Sequence, residues 1–247
     1  MIVLLGVENV TRNVFNYRQI IFVATINAFA YNSTMYFRKV MPHLVNLPLF
    51  ESGHLYAGVD NPQQVQRQLG DWVRAGKIVQ LRRGLYTLAQ PYQGEPPHSY
   101  TVANQMVRAS YVSLHTVLSH YDLIPEHVAV VTSITTGRPG MWQNLYGHFS
   151  YQHIQPNLFF GFEYRRVTQT QWAYMATPEK ALLDLIYLTS GADNEEYIRA
   201  LRLQNLDQLD IKRLTTYVER INKPKLKRAL PVIVQVIEEE LTTYIPL

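Results

Sequence analysis

The sequence predicts an α+β fold in two parts: a small helix-and-hairpin module, then a larger mixed α/β domain with a helical C-terminal tail. Three observations predict it. Asn61 to Leu88 reads as one amphipathic helix followed by a tight basic hairpin. From Val128 onward, short runs rich in Val, Thr, Tyr and Phe alternate with turn residues, as strands do. After Gly191 the spacing is helical throughout, with breaks near Asn205 and at Lys223-Pro224.

The first module is built element by element. From Met35 a helix runs to about Asn46, with Phe37, Val40, Leu44 and Leu47 on one side, and Pro48 ends it. Glu51 to Gly58 reads as a short, glycine-bracketed helical turn. Asn61 is a favoured N-cap, and Pro62 sits at the first helical position, where its missing N–H costs nothing. Val65, Leu69, Trp72 and Val73 then share one face. Gln63, Arg67, Gly70 and Arg74 hold the opposite face, flanked by Gln64 and Asp71, and Gly76 is placed to stop the helix. The β-branched run from Lys77 to Leu81, the turn Arg82-Arg83-Gly84 and Leu85 to Leu88 form a hairpin.

A helical turn, a second helix and a basic hairpin in this order read as a winged helix-turn-helix over residues 35–90, a module that usually binds DNA. Gln63, Gln64, Arg67 and Arg74 are the candidates for base or groove-edge contact, since Gln and Arg form bidentate hydrogen bonds to adenine and guanine edges. Lys77, Arg82 and Arg83 are the candidates for phosphate or wing contact.

The 247 residues and 47% hydrophobic content support one large or two modest folded domains. The absence of cysteine excludes disulfides, thiolate metal sites and cysteine nucleophiles, and suits a reducing cytoplasm. The net charge of +4 is uneven: nine Lys and Arg against five Asp and Glu through Pro97, and fourteen against fourteen after it. A basic block from Arg199 to Arg228, nine basic against three acidic residues, reads first as solvated helix faces and second as a nucleic-acid contact. Residues 1–34 are rich in Asn, Tyr, Phe and Val and low in charge, and read as a non-native or disordered extension, with translation starting at Met35 or Met41. The apolar run Ile20 to Ala30 is too short to span a bilayer, so no membrane partner is expected.

Pro91 to Pro97 reads as a linker, which puts the second domain at residues 98–247. It opens with helical segments over His98–Arg108 and Ser113–Tyr121, with Ser110 as a helix cap. Val128 to Thr135 is a buried strand and Gly137 to Gly140 a turn. Gly147–Ile154, Leu158–Glu163, Tyr164–Val167 and Gln171–Met175 are further strands. Thr177-Pro178-Glu179 starts a helix through Leu188, with Thr177 as N-cap, Glu179 at the positive helix end and Lys180 paired with Asp184.

Catalytic chemistry is weak. His115 and His120 are too far apart in helical phase to share a metal, and read as a buried, hydrogen-bonded histidine and one at the helix edge. Ser110, Ser113 and Ser119 lack a nucleophile elbow, and Gly137-Arg138-Pro139-Gly140 is too short for a phosphate loop. A metal-dependent nuclease would need acidic residues on adjacent strands with a nearby Lys. The one Asp-x-Lys is Asp210-Ile211-Lys212, where Asp210 reads as a helix cap, and no spacing pairs Glu163 with Asp184. The chain is therefore read as a non-enzyme without metal or cofactor.

The order of these segments resembles a known family. An RRGLY wing is followed by SYVSLHTVLSHYDLIPE, VTSITTGRP, FGFE and ATPEKALLDLIYL. This is similar to the AbiEi-type antitoxins of type IV toxin–antitoxin (abortive-infection) systems, over about Phe37 to Leu188 and more loosely through the tail. The resemblance implies a repressor that binds inverted repeats in its own operator DNA and whose C-terminal antitoxin domain neutralises a cognate nucleotidyltransferase-type toxin in phage defence. A stand-alone winged-helix regulator with a ligand- or protein-binding second domain is the alternative reading, and a nuclease the more distant one.

Overall fold

The computed structural model describes residues 37–56 and 61–243. The expected N-terminal extension, the helix start at Met35 and the end of the helical turn at Gly58 lie outside the described residues. Among those described, eight α-helices and nine strands in two sheets make a mixed α/β protein. It divides into two compact units between Pro97 and His98. No helix among the described residues is long and apolar enough to cross a membrane.

The first unit contains α1 (Phe37–Leu44), β1 (Phe50–Glu51), a 3-10 turn (Ser52–Leu55), α2 (Pro62–Arg74), β2 (Ile78–Arg82) and β3 (Leu85–Leu88). The strands form an antiparallel sheet in the order β1-β3-β2. Its core joins Val40 and Leu44 of α1, Val65, Leu69 and Trp72 of α2, and Ile78, Tyr86 and Leu88 of the hairpin. Phe37 stands edge-on to Trp72 at 5.3 Å and to Tyr92 at 4.9 Å, a geometry that suits the quadrupoles of both pairs.

Three expectations change here. α1 stops at Leu44, before the expected Asn46, and Leu47 N–H donates to the Leu44 carbonyl at 2.9 Å. Glu51 belongs to a strand, because Phe50 stacks on Tyr86 at 5.7 Å and pairs with it across the sheet, which leaves only Ser52–Leu55 for the turn. The expected linker is anchored on this unit: Tyr92 covers Phe37, and Gln93 Nε2 donates to Thr87 Oγ1 at 2.9 Å.

The second unit contains α3 (Ser99–Met106), β4 (Ser110–Val112), α4 (Leu114–His120), β5 (Val130–Thr135), β6 (Gly140–Asn144), β7 (Gly147–His153), β8 (Phe162–Arg166), β9 (Trp172–Ala176), α5 (Pro178–Leu188), α6 (Glu195–Ala200), α7 (Ile211–Ile221) and α8 (Pro224–Thr243). The sheet order is β6-β7-β5-β4-β9-β8. β5–β7 and β4–β9 are parallel and the other pairs antiparallel.

β4 replaces the expected cap at Ser110. Ser110 lies in the strand opposite Thr135, and its hydroxyl donates to the Val107 carbonyl at 2.6 Å. Ala109 (φ 53°) and Leu114 (φ 58°) bracket β4 in the left-handed region, at a cost of about 1–2 kcal/mol each that the surrounding packing must offset. Leu158–Glu163 is not a strand throughout: Pro156–Leu158 forms a 3-10 turn, and β8 starts only at Phe162. β6 is a strand that the sequence reading leaves unassigned.

β4 and β9 pair at a single register position, Val112 with Met175. Beyond it α3 bridges the gap. Asn104 Nδ2 lies 3.4 Å from the carbonyls of both Ser110 and Tyr174, and Tyr174 N–H donates to Asn104 Oδ1 at 2.6 Å. Thr101 Oγ1 donates to the Trp172 carbonyl at 3.3 Å.

α5 forms over the expected residues, with Thr177 Oγ1 accepting from Lys180 N–H at 3.3 Å. The expected Lys180–Asp184 pair is present and lies in the core, 0% and 2% exposed. Lys180 Nζ also donates to the Tyr111 hydroxyl at 2.9 Å. Tyr111 and Ser113 each donate to Asp184 Oδ2 at 2.9 Å. Burial pushes the Asp184 carboxyl up, against the pull of Lys180, Ser113 and Tyr111. Burial and then the Asp184 charge push the Tyr111 phenol up, which keeps it a donor. Gly161, at φ +73°, covers the lysine stem so closely that an added Cβ would lie 3.0 Å from Lys180 Cγ. Glu179 reaches further than the start of its own helix: it is buried, and its Oε1 accepts from Asp210 N–H at 3.0 Å.

A buried charge is tolerable only while it is paired. Asp184→Ala should therefore lower the unfolding free energy by about 3–5 kcal/mol. Lys180→Met with Asp184→Leu, which removes both charges, should recover most of that loss. Chemical denaturation of the three proteins measures both effects.

Candidate nucleic-acid interface

α2 is fixed at both ends by the residues expected to do so. Asn61 Oδ1 accepts from Gln63 N–H at 3.1 Å, and Pro62 opens the helix. At the other end Gly76 takes φ +64°. Gly76 N–H then donates to the Val73 carbonyl at 3.0 Å and Lys77 N–H to the Trp72 carbonyl at 2.9 Å. This pair of bonds closes a Schellman motif. The helix cannot fray or slip by a residue without losing both caps, so its rotation is set.

That rotation buries Val65, Leu69 and Trp72 and leaves Gln63, Gln64, Arg67, Asp71 and Arg74 exposed. The four expected base-contact candidates, Gln63, Gln64, Arg67 and Arg74, thus all stand on the outer side of one helix. Arg74 is ion-paired with Asp71 one turn back, on the surface, where such a pair contributes little to stability. Val73 is half-buried, at the margin of the packed face.

The wing candidates are arranged differently. β2 and β3 pair antiparallel, with an irregularity between Gln80 and Arg82. Arg83 is exposed in the turn. Arg82 is half-buried, and its Nη1 donates to the Arg83 carbonyl at 3.3 Å. Ser52 N–H donates to the Gly84 carbonyl at 2.9 Å, so the tip of the hairpin is tied to the 3-10 turn. Lys77, at the base of the hairpin, is half-buried with its ammonium 5.2 Å from the Phe37 ring centre. It is held over an aromatic face rather than projected outward. A strand of this length separates it from Arg82 by about 16 Å, at about 3.3 Å per residue. Arg82 and Arg83 therefore form a cluster apart from Lys77.

The sequence reading missed Ser52 as a neighbour of the hairpin tip. Its contact is made through main-chain atoms, which carry no side-chain signal. Tyr86, buried on β3, also escaped notice; burial pushes its phenol up, with a smaller push from Tyr56.

Four of the nine basic residues in the Arg199–Arg228 block are paired with acids. Arg199 pairs with Glu195 and Glu239, Arg202 with Glu126, Arg213 with Glu179 and Arg228 with Asp193. Lys225 Nζ donates to main-chain carbonyls of Tyr187 and Thr189. Asp210 is a helix cap as expected, accepting from Lys212 N–H at 2.9 Å and Arg213 N–H at 3.1 Å. Glu163 is exposed and paired with Arg165, apart from the buried Asp184. His115 is half-buried rather than buried; burial pushes its imidazole down, partly offset by Glu126. Among the described residues no three His, Asp or Glu side chains gather where they could hold a metal ion.

Asn61→Ala should lower stability by about 1 kcal/mol through loss of the cap. Asn61→Asp, which keeps an acceptor, should not. Thermal unfolding of the two variants measures the difference. Among known proteins, no family model matches the chain and no curated sequence does.

Proposed function

We propose that the chain is a DNA-binding repressor-antitoxin of the AbiEi type, acting in the cytoplasm. Its first unit would be a winged helix-turn-helix that binds operator DNA, and its second unit would bind the cognate toxin. The observation that carries the DNA reading is the element order of the first unit. A helix, a short strand, a turn, a second helix and a hairpin follow one another, with the short strand paired to the last strand of the hairpin. This order supports a winged helix, in which the second helix would enter the major groove and the hairpin would lie beside it.

The side chains support the same reading. Gln63, Gln64 and Arg67 lie in the N-terminal half of α2, the part of a recognition helix that meets base edges. Arg83 in the exposed turn suits backbone contact. The antitoxin role follows from the segments that resemble that family, among them the Thr177–Leu188 helix.

Electrophoretic or fluorescence binding to the DNA upstream of the gene tests the first part. Arg67→Ala should weaken operator binding by about 10-fold or more and relax its sequence preference. Arg82→Ala with Arg83→Ala should weaken binding to all sequences and reduce the salt slope by about 2. Operator affinity unchanged in both variants removes the DNA-binding reading. Co-expression with the adjacent reading frame tests the second part. Toxicity of that neighbour, relieved by this chain, supports an antitoxin; a harmless neighbour, or toxicity that persists, removes it.

A further inference from the structure

Among the described residues β6 ends the six-stranded sheet. Such an edge is normally blunted by a lysine, a proline, a bulge or a covering element, because its main-chain groups invite another strand. β6 reads Gly140-Met141-Trp142-Gln143-Asn144, with no charge and no proline. Its register with β7 runs without a bulge through all five pairs. Met141 is 77% exposed, and Leu145, next to the strand, is 74% exposed.

Leu145 and Tyr146 make a two-residue turn, so Asn144 and Gly147 are the hydrogen-bonded closing pair of the hairpin. The main-chain groups of Gly140, Trp142 and Asn144 then face β7, and those of Met141 and Gln143 face outward. A two-fold axis through Trp142 brings Met141 opposite Gln143 of a second copy, and Gln143 opposite its Met141. Each of these pairs exchanges two main-chain hydrogen bonds.

The pattern is self-complementary beyond the backbone. Gly140 meets Asn144, Pro139 meets Leu145 and Arg138 meets Tyr146, so no like charges face each other. Trp142 meets its own copy at the closer, non-hydrogen-bonded spacing, where aromatic pairs gain most. Its ring is already steadied edge-on against Tyr151 at 5.1 Å. A charged partner segment would find no counter-charge in this strand, whereas a second copy matches it residue for residue.

We propose that the chain forms a two-fold dimer by antiparallel pairing of β6 with β6 of a second copy, joining the two sheets into one. The inference stands on the second unit alone, so its failure leaves the DNA-binding reading untouched. Sedimentation equilibrium of the full chain should give twice the 28.6 kDa chain mass. Met141→Lys with Gln143→Lys places lysine opposite lysine in both pairs and should give a monomer with unchanged circular dichroism. Met141→Lys with Gln143→Glu places lysine opposite glutamate and should restore the dimer. A monomeric native chain, a dimer that survives the double lysine variant, or a folded monomer in the lysine–glutamate variant overturns the proposal.

Discussion

Lys180 and Asp184 are closed off from water, and the second unit is organised around meeting their demands. A lysine ammonium and a carboxylate in a protein interior need each other, and they also need their remaining hydrogen-bonding capacity filled. α5 supplies the pair one helical turn apart, β4 supplies Tyr111, and the N-cap position of α4 supplies Ser113. Gly161, just before β8, closes over the lysine stem. Three stretches of the chain, at residues 111–113, 161 and 180–184, therefore have one arrangement in which every polar atom of the cluster is satisfied. The left-handed residues on either side of β4 fit this view: the backbone bends sharply at Ala109 and Leu114 so that Tyr111 and Ser113 arrive at the same carboxylate.

The first unit obeys a simpler rule. Among its described residues the order comes from an aromatic-rich core and two helix caps. Burying Val65, Leu69 and Trp72 while both ends of α2 are pinned leaves no freedom in which side chains look outward. The polar face is thus a by-product of packing. The β2–β3 hairpin is held at its tip by the Ser52–Gly84 bond as well as at its base, which limits how far Arg83 can stray from the turn that precedes α2.

What could be read from the sequence follows from the range of the forces involved. α2, its caps, the hairpin, α5 and the helical tail were legible because their signals are local: a capping side chain, a period of 3.6, a turn glycine. β4 was not, because three residues between two helices carry no periodicity and their strand character comes from partners 21 to 63 residues away. β6 was hidden for a related reason, since Gln143 and Asn144 dilute its strand propensity and Gly140 looks like the end of a turn. The Lys180–Asp184 spacing was visible, but a four-residue spacing looks the same on a surface as in a core. Only the convergence of Tyr111 and Ser113 separates the two. In the candidate interface, Gln63, Gln64, Arg67 and Arg74 share a face as helical phase dictates, whereas the settling of Lys77 over Phe37 depends on the packing of α1 and was not legible.

The bridge made by Asn104 has a mechanical consequence. With a single register position joining β4 to β9, the six strands behave as a four-stranded sheet and a two-stranded ribbon stitched together by an amide side chain and a threonine. A ladder shares load over many bonds; a stitch concentrates it. The single β4–β9 register position is thereby the sparsest main-chain seam in the sheet, and local opening of the β8–β9 ribbon is expected to begin there. Hydrogen exchange in the outer sheet would run along that seam, with the amide of Tyr174 reporting the stitch itself.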